Sequence, residues 1–114
     1  MNELITIEFD DFLKVDMRVG MVLSAEPNPK AQKPAYILTI DFGALGIKTS
    51  SAQLTVHYTA EALIGRQVIA VVNFAPKRIA GVKSEVLVLG APDENGAVVL
   101  LQLTQPVANG SRIF

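Results

Sequence analysis

A chain of 114 residues without cysteine, with a formal net charge of -1 and only 18% charged residues, has the size of a single domain, 1–114, and can form neither a disulfide nor a thiolate metal site. The stretch from Met1 to Asp11 is acidic and lacks basic residues, unlike a secretory signal, and no apolar run approaches the roughly 18 residues that cross a bilayer. A cytoplasmic location without integral membrane association is therefore expected. Apolar residues nevertheless reach 50%, more than a small domain should be able to hide, so a homodimer seam, with or without an apolar groove beside it, is expected to cover the surplus.

Thr6 is placed to cap a brief helix running through Phe12, with Glu8, Asp10 and Asp11 near its N-terminal end and Lys14 beyond its C-terminal end. Val15 to Glu26 then alternates, with Val15, Met17, Val19, Met21, Leu23 and Ala25 on one face and Asp16, Arg18, Gly20, Ser24 and Glu26 on the other, as a half-buried strand does. Gly20 in its middle predicts a bulge or bend. Pro27, Asn28 and Pro29 end the run. After a loop holding Lys30, Lys33 and Pro34, a second strand covers Tyr36 to Phe42 and a shorter third one Ile47 to Gln53. Thr59 to Ile64 reads as a short helix capped by Thr59 and ended by Gly65. Three further strands follow, Val68 to Phe74, Glu85 to Gly90 and Ala97 to Leu103, the last two joined by a turn at Asp93 to Gly96. Three strands, a short helix between strands 3 and 4, and two more strands make an all-β, five-stranded OB-fold barrel with short N- and C-terminal extensions. Val68 to Val72, Val86 to Leu89 and Val98 to Leu101 are apolar on both faces, so their outer faces are expected to lie under terminal segments or a second subunit.

Catalytic chemistry is hard to assemble from these residues. His57 is the single histidine, with Ser50 and Ser51 as conceivable nucleophiles nearby in sequence, but a lone histidine ahead of a helix is more simply a loop or capping residue. The stretch Gly43 to Thr49 fails as a phosphate loop, because two residues separate its glycines and Lys48 does not directly follow one. Asp10 with Asp11 and Asp93 with Glu94 read as a helix start and a turn. No metal, no cofactor and no enzymatic activity are therefore expected.

The densest basic stretch is Lys77, Arg78 and Lys83, between two strands and after Asn73, Phe74 and Pro76. OB barrels hold single-stranded nucleic acid with such loops, and Lys30 and Lys33 can join the patch. The run NFAPKRIAGVKSEVLVLG from Asn73 to Gly90 resembles the signature of the tRNA-binding domain family. Further matches are DFLKVDMRVG from Asp11, KTSSAQLTVHY from Lys48, LIGRQVIAVVNF from Leu63 and PVANGSRIF at the C-terminus, and together the blocks look most like the CsaA-like, export-related chaperones of that family. The resemblance implies a homodimeric OB barrel that binds unfolded preproteins or peptides in a groove near the seam, or else tRNA through the basic loop. Positions implied or inferred for the ligand are Lys33, Asn73, Phe74, Lys77, Arg78, Ile79, Val82, Lys83, Ser84 and Glu85. Phe12 is expected to join Phe74, Ile79 and Val82 as an apolar lining of that groove. For the dimer interface the terminal residues Phe9, Phe12, Val107, Ile113 and Phe114 are expected. Nucleic-acid-binding members commonly follow the pair at Ser84 and Glu85 with a small residue and a methionine, where this chain has Val86 and Leu87.

Overall fold

The computed structural model describes residues 3–114. Strand β1 (Met17–Pro27) lies antiparallel between β2 (Tyr36–Asp41) and β4 (Gln67–Val71), and β3 (Ile47–Ala52) extends the sheet beyond β2. A hairpin of β5 (Lys77–Ile79) and β6 (Val82–Ser84) follows, then β7 (Leu87–Val88) on the free edge of β4, and a second hairpin of β8 (Gly90–Pro92) and β9 (Val98–Leu100). The sheet order β3-β2-β1-β4-β7 closes on itself where the Glu85 N–H donates to the Thr49 carbonyl at 2.8 Å and the Ser50 hydroxyl to the Val86 carbonyl at 3.0 Å. This is the expected five-stranded OB barrel, with its last strand divided between β6, which lies against β3, and β7, which pairs with β4.

Val22, Leu38, Ile40, Phe42, Val68, Leu100 and the α2 residue Leu63 fill the interior. Helix α2 (Ala60–Leu63) sits between strands 3 and 4 as expected, and the Thr59 hydroxyl accepts the Ala62 N–H at 3.2 Å. Next to it, the Tyr36 hydroxyl donates to the Tyr58 carbonyl at 2.8 Å, while the Tyr58 hydroxyl accepts the Leu100 N–H at 3.0 Å. Polar groups at the barrel end are thereby satisfied where an apolar seal would leave them unpaired.

Several local expectations change. Helix α1 (Phe9–Leu13) is N-capped by Glu8 and not by Thr6, and the Glu8 N–H donates to Asp11 Oδ2 at 3.1 Å. The preceding Ile5, Thr6 and Ile7 are β-branched and disfavour a helical start. In β1 the bulge falls between Val22 and Ser24, not at Gly20, so the alternation changes phase and Leu23 is exposed while Ala25 is buried. Gly20 instead permits close approach, since a Cβ there would lie 2.6 Å from Ile40 Cγ2 and 2.7 Å from Phe42. Pairing of β4 stops at Val71, and the strand expected over Glu85 to Gly90 breaks into pieces that serve two sheets. The Asp93 turn stands as expected, but it joins Gly90–Pro92 to Val98–Leu100.

Val68 and Ala70 face the interior, while their neighbours Ile69 and Val71 and the cross-strand Val19 are also buried, as a second apolar layer within one copy. The C-terminal segment completes this side by pairing with the part of β1 that β2 leaves free. Ser111 accepts the Val19 N–H at 2.9 Å, Gly110 donates to Val19 at 2.7 Å, and Ile113 donates to Met17 at 2.9 Å. Charge holds the segment there: Asp16 accepts from Arg18 at 2.6 Å, Arg18 donates to the Gly110 carbonyl at 3.1 Å, and Arg112 donates to the Leu13 carbonyl at 2.7 Å. The hydrogen bond from Arg18, aided by the charges of Arg18 and Arg112, holds the Asp16 carboxyl below its ordinary pKa.

Gly20→Ala is expected to overpack the interior and cost about 1–3 kcal/mol in urea unfolding; an unchanged midpoint would show that Ile40 and Phe42 move aside freely. Because the folded pKa of Asp16 is depressed, its contribution is complete above the unfolded carboxyl value of about 3.9 and is lost as pH falls through the lower folded value. Hydrogen-exchange protection at 110–113, taken relative to the intrinsic rate at each pH, should therefore fall below about pH 4 in the native chain, whereas Asp16→Asn should be weakly protected throughout and with a flatter pH dependence.

Candidate functional site

The basic stretch expected as a loop is a two-stranded hairpin. Ala80 (φ +46°) and Gly81 (φ +81°) both occupy the left-handed region, which makes a type I′ turn whose twist suits the flanking strands. Four contacts fix the hairpin to the barrel. Asn28, itself buried, donates from Nδ2 to the Ala80 carbonyl at 3.3 Å, and its Oδ1 accepts the Lys30 N–H at 3.0 Å. The Lys30 side chain packs against Gly81, where a Cβ would stand 3.1 Å from its Cδ. Ser84 Oγ accepts the Ser51 N–H at 3.2 Å, and Glu85 Oε1 accepts the Thr49 N–H at 3.1 Å.

Two hollows flank the hairpin. One, of about 490 Å³, is mainly apolar and is lined by Phe74, Ala75, Ile79, Val86 and Leu87, with Lys77, Ser84 and Glu85 at its border. The other, also about 490 Å³, lies between the β1–β2 loop and the hairpin tip and is lined by Lys30, Lys33, Ser51, Gln53, Ile79 and Ala80 among others. Lys77, Arg78 and Lys83 are exposed, and none of them forms an ion pair with a described residue. The hydrogen bond that Arg78 makes runs from its guanidinium to the Gly81 carbonyl at 3.1 Å.

The positions expected to bind thus divide into two groups. Lys33, Phe74, Lys77, Arg78, Ile79 and Lys83 face the hollows or the solvent around them, with Phe74 58% and Ile79 40% exposed. Asn73, Ser84 and Glu85 spend their side chains on architecture: Asn73 donates to the Lys14 carbonyl at 2.7 Å and accepts the Asp16 N–H at 3.0 Å, tying α1 to the end of β4. Val82 is half-buried, and neither it nor Phe12 lines the apolar hollow. Leu87 and Ala75 do line it, and Asn28 anchors the hairpin; the Pro-Asn-Pro punctuation pointed only to a turn, which is the local half of the role of Asn28.

Arg112 joins the C-terminal segment to α1, and Asn73 joins the end of β4 to it. Phe9 is exposed with its ring centroid 6.1 Å from that of half-buried Phe12, and Phe114 is 97% exposed, while Ile113 is half-buried beside Met17. Val107 lies apart from these residues, hydrogen-bonded through its backbone to the Gln67 side chain. His57 faces Asp93 at 2.7 Å and Ser50 is buried in the barrel closure, so histidine and serine are committed to separate structural contacts. Among the described residues there is no cluster of three or more histidines and carboxylates suited to a metal ion, and no helix is long and apolar enough to cross a membrane.

The family model described as "Putative tRNA binding domain" matches residues 17–112, which span the barrel, the hairpin and the C-terminal strand. The chain belongs to the tRNA-binding domain family. Within that family it is similar to the solved chaperone CsaA of Bacillus anthracis, 54% identical with a TM-score of 0.88, covering 96% of this chain and 100% of that one. The CsaA chaperone protein of Picrophilus torridus is 46% identical with a TM-score of 0.89 and the same coverage. The methionine–tRNA ligase of Porphyromonas gingivalis is 40% identical over 107 residues, 94% of this chain and 15% of the ligase. The chain therefore spans about 15% of the length of the curated relatives it matches.

Asn28→Ala removes the buried amide and leaves the Ala80 carbonyl and Lys30 N–H without it, at a cost of about 1–3 kcal/mol. Amide exchange across Lys77 to Ser84 should quicken while β2 stays protected; equal protection in both proteins would deny Asn28 its anchoring part.

Proposed function

We propose that the chain is a CsaA-like chaperone acting in protein export, which holds segments of unfolded preproteins or peptides, without nucleotide, in the apolar hollow beside the β5–β6 hairpin. The observation that carries this reading is the hollow itself: Phe74, Ile79 and Leu87 stay exposed on a rigid barrel, where isolated packing would have buried them. The similarity to solved CsaA chaperones over their whole length supports the same assignment. A homodimer accompanies it, because Leu4, Ile5 and Phe114 are 95%, 93% and 97% exposed in one copy and a second copy is the economical cover. The absence of cysteine fits a reducing cytoplasm.

A second reading, tRNA binding, is favoured by five cations around the hairpin, Lys30, Lys33, Lys77, Arg78 and Lys83, and by the family match. Against it stands a net charge of -1, which gives little long-range attraction to a polyanion.

Leu87→Asp should weaken capture of an unfolded preprotein segment about tenfold or more with little response to salt. On the second reading, Arg78→Glu with Lys83→Glu should abolish tRNA binding, and binding by the native chain should fall steeply with salt. Peptide affinity indifferent to Leu87→Asp would remove the hollow from the chaperone reading, and sedimentation at the monomer mass at all dilutions would remove the seam.

A further inference from the structure

Strand β5 is an edge whose outer side pairs with no strand among the described residues. The type I′ turn at Ala80 and Gly81 makes Ile79 and Val82 the hydrogen-bonded pair beside it and Lys77 and Ser84 the next such pair, which leaves Arg78 and Lys83 as the non-hydrogen-bonded pair between them. The main-chain N–H and C=O of Arg78 therefore point outward, away from β6. No main-chain group among the described residues outside the hairpin takes either of them. Side chains alternate along the strand, so Lys77 and Ile79 border the apolar hollow while Arg78 faces the other way.

We infer that β5 captures an extended polypeptide segment by strand addition, with main-chain hydrogen bonds to Arg78. A segment laid along this edge places the residue opposite Arg78 on the guanidinium's face and its two neighbours on the face of the hollow. Apolar side chains at those alternate positions meet Phe74, Ile79 and Leu87, and an acidic or neutral residue between them meets Arg78. Charge sharpens the choice. Lys77, Arg78 and Lys83 repel the same edge of a second copy, which protects against edge-to-edge aggregation, yet they admit a segment that brings a carboxylate. Main-chain recognition is indifferent to most of the client's sequence, as a holder of many unfolded chains requires. The inference rests on the reading that the hollow takes peptides and specifies how it does so.

The probe is the peptide acetyl-Ser-Leu-Glu-Leu-Ser-amide, unmodified, N-methylated at Glu, or N-methylated at the second Leu, titrated by NMR against the full chain. Strand addition uses alternate amides, so one methylated form should bind about five- to tenfold more weakly and the other like the unmodified peptide. Arg78→Pro deletes the outward N–H at an edge position where proline is tolerated, and should bind about fivefold more weakly than Arg78→Ala, which keeps it. Should the proline variant misfold, the alternation between the two methylated peptides still decides. Equal affinity of both methylated forms, with the unmodified peptide bound and released by Leu87→Asp, would overturn strand addition and leave the hollow intact. An unmodified peptide that does not bind at all would overturn both.

Discussion

Closure of the barrel between β3 and the last strand is the constraint on which the site depends. Four hydrogen bonds do this work: the Glu85 N–H donates to the Thr49 carbonyl, the Ser50 hydroxyl to the Val86 carbonyl, the Ser51 N–H to Ser84 Oγ and the Thr49 N–H to Glu85 Oε1. The Ser50 hydroxyl is buried, so its bond forms in a low-dielectric surrounding where an unpaired donor would be costly. With the strand locked there, β6 lies against β3 and the hairpin partner β5 is carried on its far side. The hollows on both sides of the hairpin are consequences of that closure.

The hairpin's chemistry follows from a division between residues that hold and residues that face outward. Asn28, Asn73, Ser84 and Glu85 each commit side-chain atoms to internal hydrogen bonds, which hold the hairpin and its surroundings in place. Lys77, Arg78 and Lys83 carry no ion pair with a described residue, and Phe74, Ile79 and Leu87 remain exposed around a fixed backbone. Preorganisation of this kind lowers the ordering cost of binding. Among the residues proposed from the sequence, chemical type alone could not separate the two groups, because serine, asparagine and glutamate serve equally as ligands and as struts.

The strand β1 shows how much a terminal segment contributes. Where β2 departs from β1, residues 110–113 take over its place on the strand, and Arg18 with Asp16 fixes them. The amphipathic reading of β1 failed at this point in an instructive way. One face of alternating apolar residues was legible, but the bulge between Val22 and Ser24 and the second layer around Val19 mean that both faces are apolar surroundings in different halves of the strand. Similarly, Gly20 was visible as an anomaly, while its reason, the approach of Ile40 and Phe42, comes from a strand some twenty residues away.

Periodicity, turn chemistry and the capping threonine by themselves marked β1 to β4, the position of α2 and the Asp93 turn, because each is set by interactions within a few residues of chain. The family signature marked the stretch from Asn73 to Gly90 as the place to look for a ligand. Tertiary structure alone decided that this stretch is a hairpin with one open edge, that Asn28 anchors its tip, and that Leu87 belongs to the hollow while Val82 and Phe12 do not. Those outcomes depend on which distant strand reaches the barrel edge first, and pairing between segments far apart in the chain leaves no local imprint on the residues that take part.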